Sequence, residues 1–169
     1  MQRFGNRLGA VLDADAIARA LNPNDPSKSA ISAARAVLLA LDSALQNRER
    51  LVYETTLSDR NRHLELLERA RSQGFEVWVL YVGLGRVERH LQRVQARVLD
   101  GGHDVPAVDV VRRYSRSLRN LPSVLLLADR VLIYDNSGLE MRRVASVQSG
   151  QVRRKVEDGW WTELLESLP

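Results

Sequence analysis

The 169-residue sequence contains no cysteine. Disulfides, thiol nucleophiles and thiolate metal sites are therefore excluded. Its three histidines, His63, His90 and His103, stand far apart without the spacing of a metal site, so no metal-ligating residue is assigned. Aromatic residues make up only 5%. That is too few to interleave with basic residues as single-strand nucleic-acid binders require, so nucleic acid is not an expected partner. No apolar run reaches the roughly 18–20 residues that span a bilayer, and no membrane association is expected. The stretch Met1 to Arg7 lacks the apolar segment of a secretory signal, which makes a cytoplasmic location the expectation. Lysine is scarce as well, with one between residues 100 and 169.

What is present is an ordinary globular composition, 44% hydrophobic and 27% charged, which excludes wholesale disorder. The length suffices for one domain with a real core, and residues 1–169 are expected to form a single domain. Net charge is +4, and the excess comes from arginine. A guanidinium fork matches phosphate and carboxylate geometry better than an ammonium does, so the ligand is expected to be anionic.

Apolar runs alternate with helical patterns along the chain. Ala10-Val11-Leu12 predicts a short buried strand entering Asp13-Ala14-Asp15, then a helix from about Ala16 to Leu21. Asp25-Pro26 supplies a cap and a first-turn proline for a helix to about Asn47, with Ile31, Ala34, Leu38, Leu41 and Leu45 as its apolar stripe. A second strand, Leu51-Val52-Tyr53, ends at Glu54-Thr55-Thr56, and Asp59 caps a helix from about Arg60 to Gln73. Phe75 to Val82 is the strongest strand signal, continuously apolar from Val77, as in a strand covered on both faces. Helices follow to about Leu99 and over 107–121, where Pro122 predicts a break before a short helix to Ala128. Arg130 to Tyr134 is a further strand, 141–147 and 151–156 a terminal hairpin, and Trp160 to Leu168 a short amphipathic helix. This alternation predicts an α/β domain with a mostly parallel sheet.

Ligands of open α/β sheets sit beyond the carboxyl ends of the strands. Three predicted strands end there in polar residues: Asp13 with Asp15, Glu54-Thr55-Thr56, and Asp135-Asn136. A carboxylate at such an edge can take the proton of an attacking hydroxyl. Asp15 fits that role and fits equally a helix N-cap. Glu54 fits a substrate contact or an exposed strand end. A second constellation is helical. Arg86, Arg89, Arg93 and Arg97 recur every three or four residues beside the apolar stripe Val87, Leu91, Val94 and Val98. Arg112, Arg113, Arg116 and Arg119 follow on the next helix, after Gly101-Gly102. Two arginine-bearing helices joined by a glycine turn can close over phosphates as a lid. At least one of Arg97, Arg112 and Arg113 is expected to touch an anion. His103, in the turn, is given no acid–base role.

Five segments, in order, resemble one family. They are Val11-Leu12-Asp13-Ala14-Asp15-Ala16-Ile17-Ala18, Tyr53-Glu54-Thr55-Thr56-Leu57-Ser58, the lid from Arg97 to Pro106, its continuation from Arg112 to Pro122, and Tyr134-Asp135-Asn136-Ser137. The family is that of the zeta toxins, which includes UDP-N-acetylglucosamine kinases and related P-loop ATPases. The resemblance spans about residues 8–138. It implies a P-loop kinase-like three-layer α/β sandwich and an ATP-dependent kinase using ATP and Mg²⁺, with a sugar nucleotide such as UDP-N-acetylglucosamine as substrate. It also brings in an antitoxin-type protein as a partner class. By the resemblance, Asp15 is the base that activates the substrate hydroxyl, and Glu54, Thr55 and Thr56 hold the substrate. Arg97 and Arg112 or Arg113 neutralise the transferred group, and Asn136 lies near the adenine.

One element of that family is missing. Its members begin with a strand, Gly-x-x-x-x-Gly-Lys-Ser/Thr and a helix, whose amides, lysine and hydroxyl hold the phosphates and Mg²⁺. No such motif occurs in these 169 residues, and Gly5-Asn6-Arg7-Leu8-Gly9 does not supply it. The domain is thus expected to be N-terminally incomplete and inactive as it stands. The resemblance puts the absent strand at the sheet's centre, between the strands ending at Glu54 and Val82. Each buried backbone group left unpaired costs about 1–3 kcal/mol, so several exceed the roughly 5–15 kcal/mol of a domain's stability. The expectation is that those two strands pair with each other, that the chain begins upstream, or that another chain fills the gap.

Overall fold

The computed structural model describes residues 8–102, 104–156 and 159–166, without the side chains of residues 154 and 155. His103, residues 1–7 and the last residues of the expected C-terminal helix lie outside the described residues. The chain divides into two compact units, Met1–Thr55 and Thr56–Pro169. Both are of mixed α/β type, and each has its own sheet.

The first unit runs β1 (Ala10–Leu12), α1 (Ala14–Leu21), a 3-10 turn (Pro26–Ser29), α2 (Ala30–Asn47) and β2 (Leu51–Tyr53). β1 and β2 pair in parallel, from Ala10 opposite Leu51 to Leu12 opposite Tyr53, with α1 and α2 in the crossover. Helix α2 ends at Arg48, whose left-handed backbone (φ 56°) turns its N–H back to the Ala44 and Leu45 carbonyls. The buried face of α2 is Ala33, Val37, Leu41, Ala44 and Leu45. Leu41 and Leu45 of the expected stripe are buried, but its first half is corrected: Ile31 is 73% exposed and Ala34 is exposed, while Ala33 and Val37 are buried. A small residue lets two helix backbones approach, and α1 also buries an alanine, Ala18.

The second unit runs α3 (Arg60–Ser72), β3 (Trp78–Gly83), α4 (Val87–Leu99), α5 (Ala107–Leu127), β4 (Arg130–Asp135), β5 (Arg142–Gln148), β6 (Gln151–Lys155) and α6 (Thr162–Glu166). Its sheet has the order β3-β4-β5-β6. β3 and β4 are parallel, while β5 and β6 form the expected antiparallel hairpin and join at β4. One core holds Leu121, Leu125, Val131, Ile133, Val144 and Trp161, all at most 2% exposed.

Two expectations are corrected here. Pro122 does not break the helix, because α5 is continuous from Ala107 to Leu127. An interior proline costs about 3 kcal/mol, but Leu121, Val124 and Leu125 around it are fully buried, and each such side chain contributes roughly 1.5–3 kcal/mol. Nor is β3 covered on both faces. It is an edge strand that alternates, with Val79 and Tyr81 turned to the core side while Trp78, Leu80 and Val82 stay 51%, 63% and 48% exposed. A continuous apolar run cannot say which of its faces finds a partner. β2 and β3 belong to different sheets.

Candidate functional site

In the first unit, the parallel register carries β1 and β2 to one edge. The Glu54 N–H donates to the Leu12 carbonyl at 3.0 Å, one residue past the ladder, which sets Glu54 level with Asp13. Asp13 is the N-cap of α1, its Oδ1 accepting from the Asp15 N–H at 2.8 Å and the Ala16 N–H at 3.1 Å. Its other oxygen lies 3.8 Å from Arg19 Nη2. The capping alternative for Asp15 is thereby corrected. The cap is Asp13, and Asp15 stands in the first helical turn, exposed, with no partner for its carboxylate among the described residues. The helix amino end favours negative charge there. Glu54 and Thr55 are exposed beside it on the chain. Asp13, Asp15 and Glu54 are thus brought to one strand edge.

In the second unit, Thr56 is exposed and its Oγ1 lies 3.0 Å from the Ser58 hydroxyl. Helix α4 buries none of its residues. Arg97 is in its last turn, and the Gly102 N–H closes the helix on the Arg97 carbonyl at 2.8 Å. Arg97, Arg112 and Arg113 are all exposed. Arg112 pairs with Asp109 of its own helix at 2.8 Å, a surface contact of little energetic weight that leaves the guanidinium accessible. Between the helices, the His90 ring lies 5.0 Å from Tyr114. Burial, reinforced by the charge of Arg93, pushes the His90 pKa below its ordinary value. An open apolar groove of about 630 Å³ lies along α4 and the segment leading into α5, lined by Leu91, Val94, Val98, Val105 and Pro106 among others.

Several hydrogen bonds tie together the carboxyl end of β3 and β4. The Asn136 N–H donates to the Gly83 carbonyl at 2.9 Å, and the Gly85 N–H to Ser137 Oγ at 2.8 Å. Arg93 Nη2 of α4 donates to the Asn136 carbonyl at 2.6 Å. Asp135 Oδ1 accepts from the Trp160 indole N–H at 3.0 Å and the Ser137 N–H at 3.2 Å, and Oδ2 lies 3.9 Å from Arg142 Nε. Burial alone would raise the Asp135 pKa, but hydrogen bonds from Ser137 and Trp160, with the charge of Arg142, hold it below the usual carboxylate value. The sequence marks Arg93 only as one of the lid arginines and gives Trp160 no role at the site. The available signal was Gly83 and Gly85, since glycine at a strand end marks a close approach.

The residues present do not fit a bound ATP–Mg²⁺. The junction from β1 to α1 carries the Asp13 cap, the one after β2 carries Glu54 to Asp59, and the one after β3 faces Trp160. None offers a glycine-rich cradle with lysine and hydroxyl. No cluster of three His, Asp or Glu residues that could hold a metal forms among the described residues. Among the same residues no helix is long and apolar enough to cross a membrane.

A family model described as zeta toxin matches residues 13–142. An uncharacterized protein of Haemophilus influenzae (strain ATCC 51907 / DSM 11121 / KW20 / Rd) is 36% identical over 102 residues, covering 60% of this chain and 71% of that protein. No solved structure matches.

Proposed function

The chain belongs to the zeta-toxin family, and on that basis we propose that its residues 1–169 make up one domain of an ATP-dependent small-molecule kinase acting in the cytoplasm on a hydroxyl of a sugar nucleotide. The observation that carries this reading is the shared strand edge of Asp13, Asp15 and Glu54. Asp13 is spent on the helix cap, which leaves the exposed Asp15 carboxylate to accept the proton of the acceptor hydroxyl. Glu54 accepts hydrogen bonds from sugar hydroxyls, with Thr55 and Thr56 as further polar contacts. Arg97, with Arg112 or Arg113, supplies positive charge to anionic phosphoryl oxygens. Asn136 lies on the nucleotide side. ATP and Mg²⁺ are the family's co-substrate and ion, but the phosphate cradle is not in this sequence. The chain by itself is therefore an acceptor-binding protein without turnover.

The test is calorimetric titration of the purified chain with UDP-N-acetylglucosamine. Binding is expected, and Glu54→Ala is expected to weaken it about tenfold or more, the loss of hydrogen bonds to a charged group. Absence of binding, or equal binding by the variant, overturns the reading. The missing cradle favours a second reading, a non-catalytic protein that binds an anionic ligand or an antitoxin-type partner. Sugar-nucleotide binding without any ATP binding, even when the cradle strand is supplied in trans, speaks for it.

A further inference from the structure

Leu57 is a bulky residue with a left-handed backbone, φ 56°. In that region Cβ crowds the neighbouring carbonyl oxygen, so a bulky L-residue stays there only when its surroundings impose it. Two contacts within the second unit impose it here. The Leu57 side chain is 8% exposed and belongs to the core cluster. Its carbonyl oxygen accepts from Asn120 Nδ2 at 2.8 Å, across 63 residues of chain. Asn120 stands inside α5 and is 5% exposed.

Core packing alone does not call for an asparagine in that place. Asparagine ranks low in a helix interior, and a buried amide is unfavourable unless it finds a partner. Leu121, Val124 and Leu125 of the same helix already supply the buried apolar surface. The amide is explained by the carbonyl that it holds.

The turn has a consequence at the surface. Along an extended strand, residues two apart are separated by about 6.6 Å. Thr56 and Ser58 flank Leu57, and their hydroxyl oxygens meet at 3.0 Å. Thr56 is exposed and Ser58 half-buried. Ser58 also lines an open polar pocket of about 400 Å³ with Asp59, Arg60, Asn61 and Arg116. Asp59 is engaged there as the cap of α3 and lies 3.7 Å from Arg62 Nε, whereas Arg116 is exposed. Paired hydroxyls beside guanidinium groups suit a ligand that carries both hydroxyls and phosphate.

We propose that Asn120 is a positioning residue: by holding Leu57 left-handed, it presents the Thr56–Ser58 hydroxyl pair as a preformed contact for the hydroxyls of a sugar nucleotide. A turn that is set before the ligand arrives spares the ordering that binding would otherwise have to impose. Asn120 shares α5 with Arg112 and Arg113, so the turn is tied to the helix that carries those arginines.

The role of Asn120 rests on the acceptor reading of the site, and two readouts keep them apart. A residue with positive φ gives a strong nuclear Overhauser effect between its own amide and Hα protons. That signal at Leu57 is measured in the isotope-labelled chain, and the same chain is titrated with UDP-N-acetylglucosamine. Asn120→Ala is expected to lose the Leu57 signal and to weaken binding about tenfold or more, as loss of hydrogen bonds to the ligand implies. Leu57→Gly combined with Asn120→Ala is expected to recover most of that affinity, because glycine enters the left-handed region without help, although it also gives up a core side chain. Recovered binding in a less stable protein is an outcome that a merely structural asparagine would not give. A Leu57 signal that survives Asn120→Ala overturns the proposal. So does unchanged affinity in that variant, or a double variant that binds no better than it. If either Asn120 variant fails to fold, Ser58→Ala decides, since it removes one hydroxyl of the pair and leaves the core intact: weaker binding than wild type supports the proposal, and equal binding overturns it. Wild type that does not bind the sugar nucleotide sinks the acceptor reading. In that case loss of the Leu57 signal in Asn120→Ala still upholds Asn120 as the pin of the turn.

Discussion

Asp13 and Asp15 are the same residue type two positions apart, yet their chemistry differs. The Asp13 side chain takes two backbone N–H groups of α1, donors that a helix start otherwise leaves orphaned. Asp15 keeps its carboxylate in solvent. Replacing Asp13 by alanine is therefore expected to cost about 1 kcal/mol, seen as faster amide hydrogen exchange through α1. Asp15→Ala is expected to stay within about 0.5 kcal/mol of wild type in the same measurement. Equal effects would mean that the cap is shared. The sequence made the pair of acids visible, because a strand signal ran straight into it. It did not say which acid caps, because helix starts read from pattern are uncertain by a residue or two, and here that margin separates a structural carboxylate from a free one.

Among the elements, the α4–α5 hairpin and strand β3 are where local pattern and packing part company. In the hairpin, the His90 ring is held against Tyr114 by burial, with Arg93 alongside, and its pKa is lowered. The folded state thus prefers neutral His90. That contribution is complete above the unfolded value near 6.5 and is lost as pH falls below it, since the unfolded chain takes up the proton first. Amide protection in α4, corrected for intrinsic exchange, is expected to fall between pH 7.5 and 5.5, and His90→Phe is expected to abolish the difference. Unchanged protection in wild type would contradict this. In β3 the prediction is one of face. Leu80 is 63% exposed whereas Ile133, on the paired strand β4, is fully buried. Ile133→Ala is expected to cost about 2–5 kcal/mol in urea unfolding and Leu80→Ala less than about 1 kcal/mol. The apolar run from Val77 to Val82 gave β3 away as a strand, but burial is a property of what lies across from it, which the run does not contain.

At the scale of the molecule, the described residues form two sheets, β1–β2 and β3–β6, and the sequence holds no glycine-rich phosphate cradle. Phosphoryl transfer in general depends on positioning and neutralising the phosphoryl oxygens, and little else lowers that barrier. The purified 169-residue chain is accordingly expected to transfer no phosphoryl group from ATP above background in a coupled nucleotide assay. Turnover that Asp15→Ala abolishes would overturn this. The order of elements, the acids at strand ends, the arginine periodicity and the missing cradle were determined by the sequence alone, because each is a local pattern set by residue type and spacing. Only the tertiary structure decided which face of α2 and β3 is buried, that α5 runs through Pro122, and that Trp160 lies on Gly83 with its N–H on Asp135. Those outcomes depend on groups far apart along the chain competing for the same surface, a competition that is settled only when the chain packs.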